Sequence, residues 1–335
     1  MGGKVLPSSP SEPAPKPDAP GQNLAAPSAP ALTAPAVLSK PGGGVPLLLV
    51  DGHQLLWRGT FGFPAEIRSR DKTRNLTGLF AFFALLRIAV RDNFTNLGVT
   101  APEVVVVFDG QFGSRDRQEA DAGYKAQRPT DEQALSPILF LADVQRGLTA
   151  CGLPWVELEN HEADDVIASL THNATRGNTT TRELPDRPVV IMSADHDFYQ
   201  LVTPQVLVLH PASRPARRWI DPAAVHTHHG VDPVQWPDFR ALTGDPADNI
   251  PGVKGIGGKT AAALLADGMT LDKLPDSGRL TSPRARAVTT QFAEALTWRD
   301  MIRVRTDIEV PLNLTGTSSA LLPTPAAVLE RIDAW

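Results

Sequence analysis

Three carboxylates, Glu162, Asp164 and Asp165, fall within four positions of the stretch HEADDVIASL (161–170). A helix N-terminus favours an anion by only about 0.3–1 kcal/mol, and acids on one turn repel one another. Charge at that density needs either solvent around it or a cation among it. More acids follow the apolar runs of the chain. VPLLLVDG (45–52) ends in Asp51, EVVVVFDG (103–110) in Asp109, and RPVVIMSADHD (187–197) in Asp195 and Asp197. TGDPADNIPG (243–252) adds Asp245 and Asp248. A single Asp after a strand is usually a turn or helix cap. Acids after three successive runs, with a triple-acid turn besides, point to metal chemistry. Nine carboxylates in one cleft cannot stay ionised without cations. Oxygen donors with no His or Cys among them select hard ions, chiefly Mg²⁺ or Mn²⁺. Two such ions about 4 Å apart can bracket a phosphodiester, one activating water and one stabilising the leaving oxygen.

Gathering these acids is a task for the fold. A short apolar run closed by a turn residue suits a strand buried on both faces. The three runs above have that form, and QVLVLHP (205–211) makes a fourth. Helical patterns lie at 76–90, 135–152 and 163–174. Strands alternating with helices imply an α/β fold with a parallel sheet. Functional residues then collect beyond the carboxyl ends of the strands. Residues 171–188 read as a helix end and an exposed loop, and from about 221 short helices alternate with tight Gly turns. The expected organisation is a disordered Pro/Ala-rich tail over 1–44, a core over 45–220, a helical region over 221–310 and a weakly ordered tail over 311–335.

Basic residues complement the acids. SRDRQEADAGYKAQRP (114–129) supplies Arg115, Arg117, Lys125 and Arg128, with Tyr124 among them. Cations beside a metal site can hold phosphate oxygens, and an aromatic can stack on a base. PGVKGIGGKTAAALL (251–265) is a Gly-punctuated turn before a helix, with Lys254 and Lys259. Such a turn can aim backbone N–H groups at a phosphate. It lacks the spacing of a Walker motif. HTHH (226–229) has no supporting partner for a metal site. The net charge of −5 argues mildly against a nucleic-acid partner. Setting the nine acids aside, however, leaves a mildly basic remainder. One cysteine, Cys151, rules out an intramolecular disulfide and reads as a buried inert thiol. With no membrane-spanning run and no secretory leader, the expected location is the cytoplasm.

LLLVDGHQLLWR, VVVVFDG, GYKAQRP, HEADDVIASL, SADHDFYQL and RALTGDPADNIPGVKGIGGKTA occur in an order and spacing that resemble one family. The chain is similar, from about Val45 to Val310, to the 5′ nuclease domain of bacterial DNA polymerase I and its free-standing relatives. The resemblance implies a PIN-like, mostly parallel sheet core with flanking helices. It also implies a helical arch over about 111–140 and a C-terminal helix-hairpin-helix that grips duplex DNA. Carried over, Asp51, Asp109, Glu162, Asp164, Asp165, Asp195, Asp197, Asp245 and Asp248 match the metal-binding acids. Lys125 and Arg128 match the catalytic basic residues at the base of the arch that contact the scissile phosphate. Tyr124 matches a neighbouring aromatic, and Arg117 a further arch residue. Gly252, Lys254, Gly255, Gly257 and Lys259 fall in the DNA-binding hairpin, where K⁺ is often held. His161 stands where Tyr is common and Gly110 where Ala is common.

The expectation is two-ion hydrolysis of DNA near a 5′ end or flap junction, as 5′→3′ exonuclease or flap endonuclease. The first ion would draw on Asp51, Asp109, Glu162 and Asp164, the second on Asp195, Asp197, Asp245 and Asp248. A separate DNA polymerase and ligase are the expected partners, with no membrane. A PIN-type ribonuclease is one alternative, opposed by a hairpin suited to duplex DNA. A non-catalytic DNA-structure binder is another, opposed by the presence of every expected acid.

Overall fold

A computed structural model describes residues 33–40, 43–176, 187–211, 218–319 and 322–335. Residues 1–32 of the expected tail over 1–44, and most of the expected loop over 171–188, lie outside these residues. Among those described, six strands form one sheet in the order β3-β2-β1-β4-β5-β6. They are β1 (Leu47–Asp51), β2 (Glu103–Asp109), β3 (Trp155–Leu158), β4 (Val189–Met192), β5 (Val206–Leu209) and β6 (Trp219–Ile220). All neighbours run parallel except β6, which lies antiparallel on β5. The four apolar runs are strands as expected. The edge strands β3 and β6 were not anticipated, because four and two residues carry too little pattern.

The helices are α1 (Gly52–Gly62), α2 (Thr77–Asn93), α3 (Arg115–Ala120), α4 (Glu132–Leu135), α5 (Leu141–Ala150) and α6 (Ala163–Arg176). They continue with α7 (Pro222–His229), α8 (Trp236–Thr243), α9 (Gly258–Leu265), α10 (Pro283–Thr290), α11 (Phe292–Ile302) and α12 (Pro325–Arg331). Successive strand side chains point to opposite faces. Leu47, Leu49, Val105, Val107, Val189 and Ile191 enter one core with α6, α8, α9 and α11. Leu48, Val50, Val104, Val106, Val190 and Met192 enter the other with α1, α2, α5 and α12. Each such burial contributes about 1.5–3 kcal/mol, so both faces hold the sheet rigid beneath its carboxyl ends.

The first core continues without a break from the sheet into α8, α9 and α11. Residues Thr33–Trp335 therefore form one compact unit, and the packing does not part at 220. The C-terminal segment also differs from the expected weakly ordered tail. Leu322, Val328, Leu329 and Ile332 are buried in the second core. The Glu103 carboxylate accepts hydrogen bonds from the Thr315 and Gly316 N–H groups at 2.7 and 3.1 Å. In the sequence, the polar run 315–319 hides the apolar pattern of the helix that follows it. At the other end Ala36–Ser39 forms a single 3-10 turn, and Leu38 is buried in the second core.

Candidate active site

The ends of β1, β2 and β4 deliver acids to one cleft. Asp51 closes β1 and caps α1, accepting from Gln54 N–H at 3.0 Å. Its other oxygen accepts from the Ser193 hydroxyl at 2.9 Å. Ser193 Oγ in turn accepts from Asp195 N–H at 3.0 Å, and Asp195 accepts from Asp197 N–H at 2.8 Å. Asp109 closes β2 and accepts from Ala163 N–H at 2.8 Å, which fixes the start of α6 against the strand. That anchors Asp164 beside it. Asp51, Asp109, Asp164 and Asp195 line a cleft of about 320 Å³ with Lys125 and Arg128.

Like charges crowd the cleft floor. Burial, then Asp109 and Asp195, push the Asp51 carboxyl up to about 7. Burial and the charges of Asp195, Asp51 and Asp109 raise Asp164, against the pull of Lys125. Burial also raises Asp197, reinforced by Asp195, Asp245 and Asp248 and opposed by Arg240. Asp248 rises for the same first reason, although Lys125 and Arg128 oppose it. The acids thus fall into two groups that share Asp195. One holds Asp51, Asp109 and Asp164; the other holds Asp197, Asp245 and Asp248. Asp197 Oδ1 is buried with no hydrogen-bond partner. A buried orphan oxygen among mutually repelling carboxylates fits a hard divalent cation.

Among the described residues, no three His, Cys, Asp or Glu side chains stand ready-made around a single point. Four of the nine acids have protein cations as partners. Glu162 is bound by Lys125 and Arg117, Asp165 by Arg117 and Arg305, Asp245 by Arg240, and Asp248 by Arg128. Burial alone would raise Glu162, yet Lys125 and Arg117 hold its carboxyl below the usual range.

Asp165 departs most from its expected role. One residue advances a helix by about 100°, so when Asp164 faces the cleft Asp165 faces the protein interior. Arg117 grips it through two bonds of 2.8 and 3.0 Å, and Arg305 N–H donates to it at 2.9 Å. Arg117 was expected on the DNA side of the arch. It is buried instead, and its Nε donates to the Met301 carbonyl at 2.9 Å. Tyr124, expected to stack on a base, is in the first core. Its hydroxyl contacts Glu162 and Asp248 at 3.2 and 3.1 Å. Lys125 and Arg128 do line the cleft, as expected of the arch base. Lys125 takes the left-handed conformation at φ 55°, rare for a non-glycine residue.

The Gly-rich turn joins α8 to α9. Asp245 and Ile250 exchange backbone bonds of 2.7 and 2.8 Å at its entrance. Gly252 has φ 70°, and a Cβ there would lie 2.3 Å from Gly244 N. Val253 and Ile256 are buried as anchors, which leaves Lys254, Gly255, Gly257 and Lys259 exposed. Gly110 also has a steric reason: a Cβ would lie 1.8 Å from the Leu158 carbonyl oxygen.

The cleft further contains His53, Gln54 and Trp57, which the sequence reading passed over. Their signal was the helix starting directly after Asp51, since positions 53 and 57 share one helical face. His53 Nδ1 accepts from Asp109 N–H at 3.0 Å. Ser193 carried no signal, because its role depends on β1 and β4 lying side by side.

Residues 46–230 match the family model of the 5′-3′ exonuclease N-terminal resolvase-like domain. Residues 231–321 match the 5′-3′ exonuclease C-terminal SAM fold. A thermostable DNA polymerase I of Thermus thermophilus is 34% identical over 298 residues, 88% of this chain and 33% of that protein. The chain thus spans about a third of the length of such polymerases. A 5′-3′ exonuclease of Streptomyces coelicolor is 33% identical over 309 residues, covering 86% of this chain and 94% of that protein. The T5 5′-exonuclease shares the fold at a TM-score of 0.56 and 21% identity, over 86% of this chain and 93% of that one. With both family domains matched end to end over the acid-bearing sheet and the hairpin, the chain belongs to the 5′-3′ exonuclease family of nucleases.

Proposed function

We propose that this nuclease hydrolyses DNA phosphodiesters at 5′ ends and flap junctions with two Mg²⁺ or Mn²⁺ ions. The observation that carries the reading is the pair of carboxylate groups joined at Asp195, one built around buried Asp51 and the other around buried Asp197 with its orphan oxygen. Asp51, Asp109, Asp164 and Asp195 would hold one ion, and Asp195, Asp197, Asp245 and Asp248 the other. Divalent ions there supply Lewis acidity and charge neutralisation at the phosphate. Glu162 orients Lys125 rather than joining the first group. Lys125 and Arg128 hold the phosphate oxygens, and Lys254 and Lys259 hold the duplex. The carbonyls of the 252–257 turn are the proposed seat of K⁺. The T5 5′-exonuclease binds divalent metal ions (zinc), and a T5 flap endonuclease forms a complex with DNA and metal ions, in keeping with this reading. A separate polymerase and ligase would complete and seal the processed strand, in the cytoplasm where the DNA lies. No described helix is long and apolar enough to cross a membrane.

A 5′-labelled flap, cut with Mg²⁺, Mn²⁺ or chelator, tests the proposal. Asp197→Asn should lose more than about 100-fold, beyond the 10–100-fold that outer-shell partners cost. Equal cleavage by this variant, or cleavage in chelator, would overturn the metal site. Cleavage only where the scissile linkage carries ribose would favour the ribonuclease instead.

A further inference from the structure

Two turns that are far apart in sequence interlock beside the cleft. The turn 123–128 carries Lys125 and Arg128. The loop 245–250 carries Asp245 and Asp248. Gln127 sends its side-chain amide to the Pro246 and Ala247 carbonyls at 2.8 and 3.1 Å. Asn249 sends its own amide back to the Gly123 carbonyl at 2.8 Å. Between them the Lys125 N–H donates to the Asp248 carbonyl at 3.1 Å. Both Lys125 and Asn249 hold left-handed backbones, φ 55° and 60°. Strained non-glycine residues persist only where surrounding contacts over-determine them, and here each turn supplies those contacts to the other.

We propose that Gln127 and Asn249 are positioning residues that clasp these turns into one rigid unit. The clasp sets the phosphate-holding cations at a fixed offset from the second carboxylate group. Neither side chain reaches the cleft itself; both act through the backbone of the opposite turn. The inference rests on the nuclease reading above. It explains why an exposed Gln is spent on two carbonyls 119 and 120 residues away.

Gln127→Met and Asn249→Gly test it, each alone and combined. Both remove amide donors without adding charge, and Gly accepts the left-handed backbone. Hydrogen exchange is read first. Gln127→Met should raise amide exchange in 245–250, and Asn249→Gly should raise it in 123–128. In flap cleavage each variant should lower kcat about 10-fold. KM for the flap should stay within about 2-fold, because duplex contacts are untouched. The losses should not multiply in the double variant, since either breaks the same clasp. Exchange confined to the substituted turn, or multiplied losses, would overturn the proposal. If the unsubstituted protein fails to cut DNA, the nuclease reading falls, while the exchange result still decides the clasp.

Discussion

At the scale of the residue, Asp51 ties the site to stability. Its carboxyl moves from 3.8 to about 7 on folding, first through burial and then through Asp109 and Asp195. Below pH 3.8 both states are protonated, so folding is not opposed. Between the two values only the folded state keeps the proton, so stability falls as pH rises and the loss is complete above about 7. At about 1.4 kcal/mol per unit the full effect is roughly 4 kcal/mol. Urea titrations without divalent ions should therefore show a weaker protein at pH 8 than at pH 5. Added Mg²⁺ should reverse the loss, and Asp51→Asn should flatten the slope. An unchanged slope in that variant would show that Asp51 does not carry the effect.

At the scale of the element, α3 is fastened by the buried guanidinium of Arg117. Arg117 joins α3 to α6 through Asp165 and to the end of α11 through the Met301 carbonyl. Arg117→Met would leave Asp165 buried with less compensation, at a cost of about 3–5 kcal/mol. A denaturant midpoint shift worth under about 1 kcal/mol would show the network is dispensable. Much of the element plan was legible beforehand. Long apolar runs marked four strands, and acids at their ends marked the cleft. What the sequence hid were the partners. Asp164 and Asp165 are adjacent letters with the same charge, and only the helical rotation separates cleft from core. Arg117 and Tyr124 sit in a polar stretch, so nothing local betrayed their burial. The hairpin was plain because Gly and Lys stand at turn positions whose backbone stays exposed.

At the scale of the whole molecule, the chain closes on itself. The C-terminal helix α12 returns to pack on α2 and α5, and the Glu103 carboxylate holds the strap leading to it. Leu329 is fully buried there. Leu329→Ala should cost about 2–5 kcal/mol in urea unfolding. A loose tail would instead leave the midpoint unchanged. The parallel topology also has a consequence for the protein as it is made. Parallel neighbours cannot be joined by tight turns, so the carboxylate set is assembled from Asp51 at one extreme and Asp248 at the other. A growing chain on the ribosome holds an incomplete set until synthesis has passed Asp248. No shorter nascent fragment carries both groups complete, so under the two-ion proposal the site is finished only once synthesis has passed that last acid.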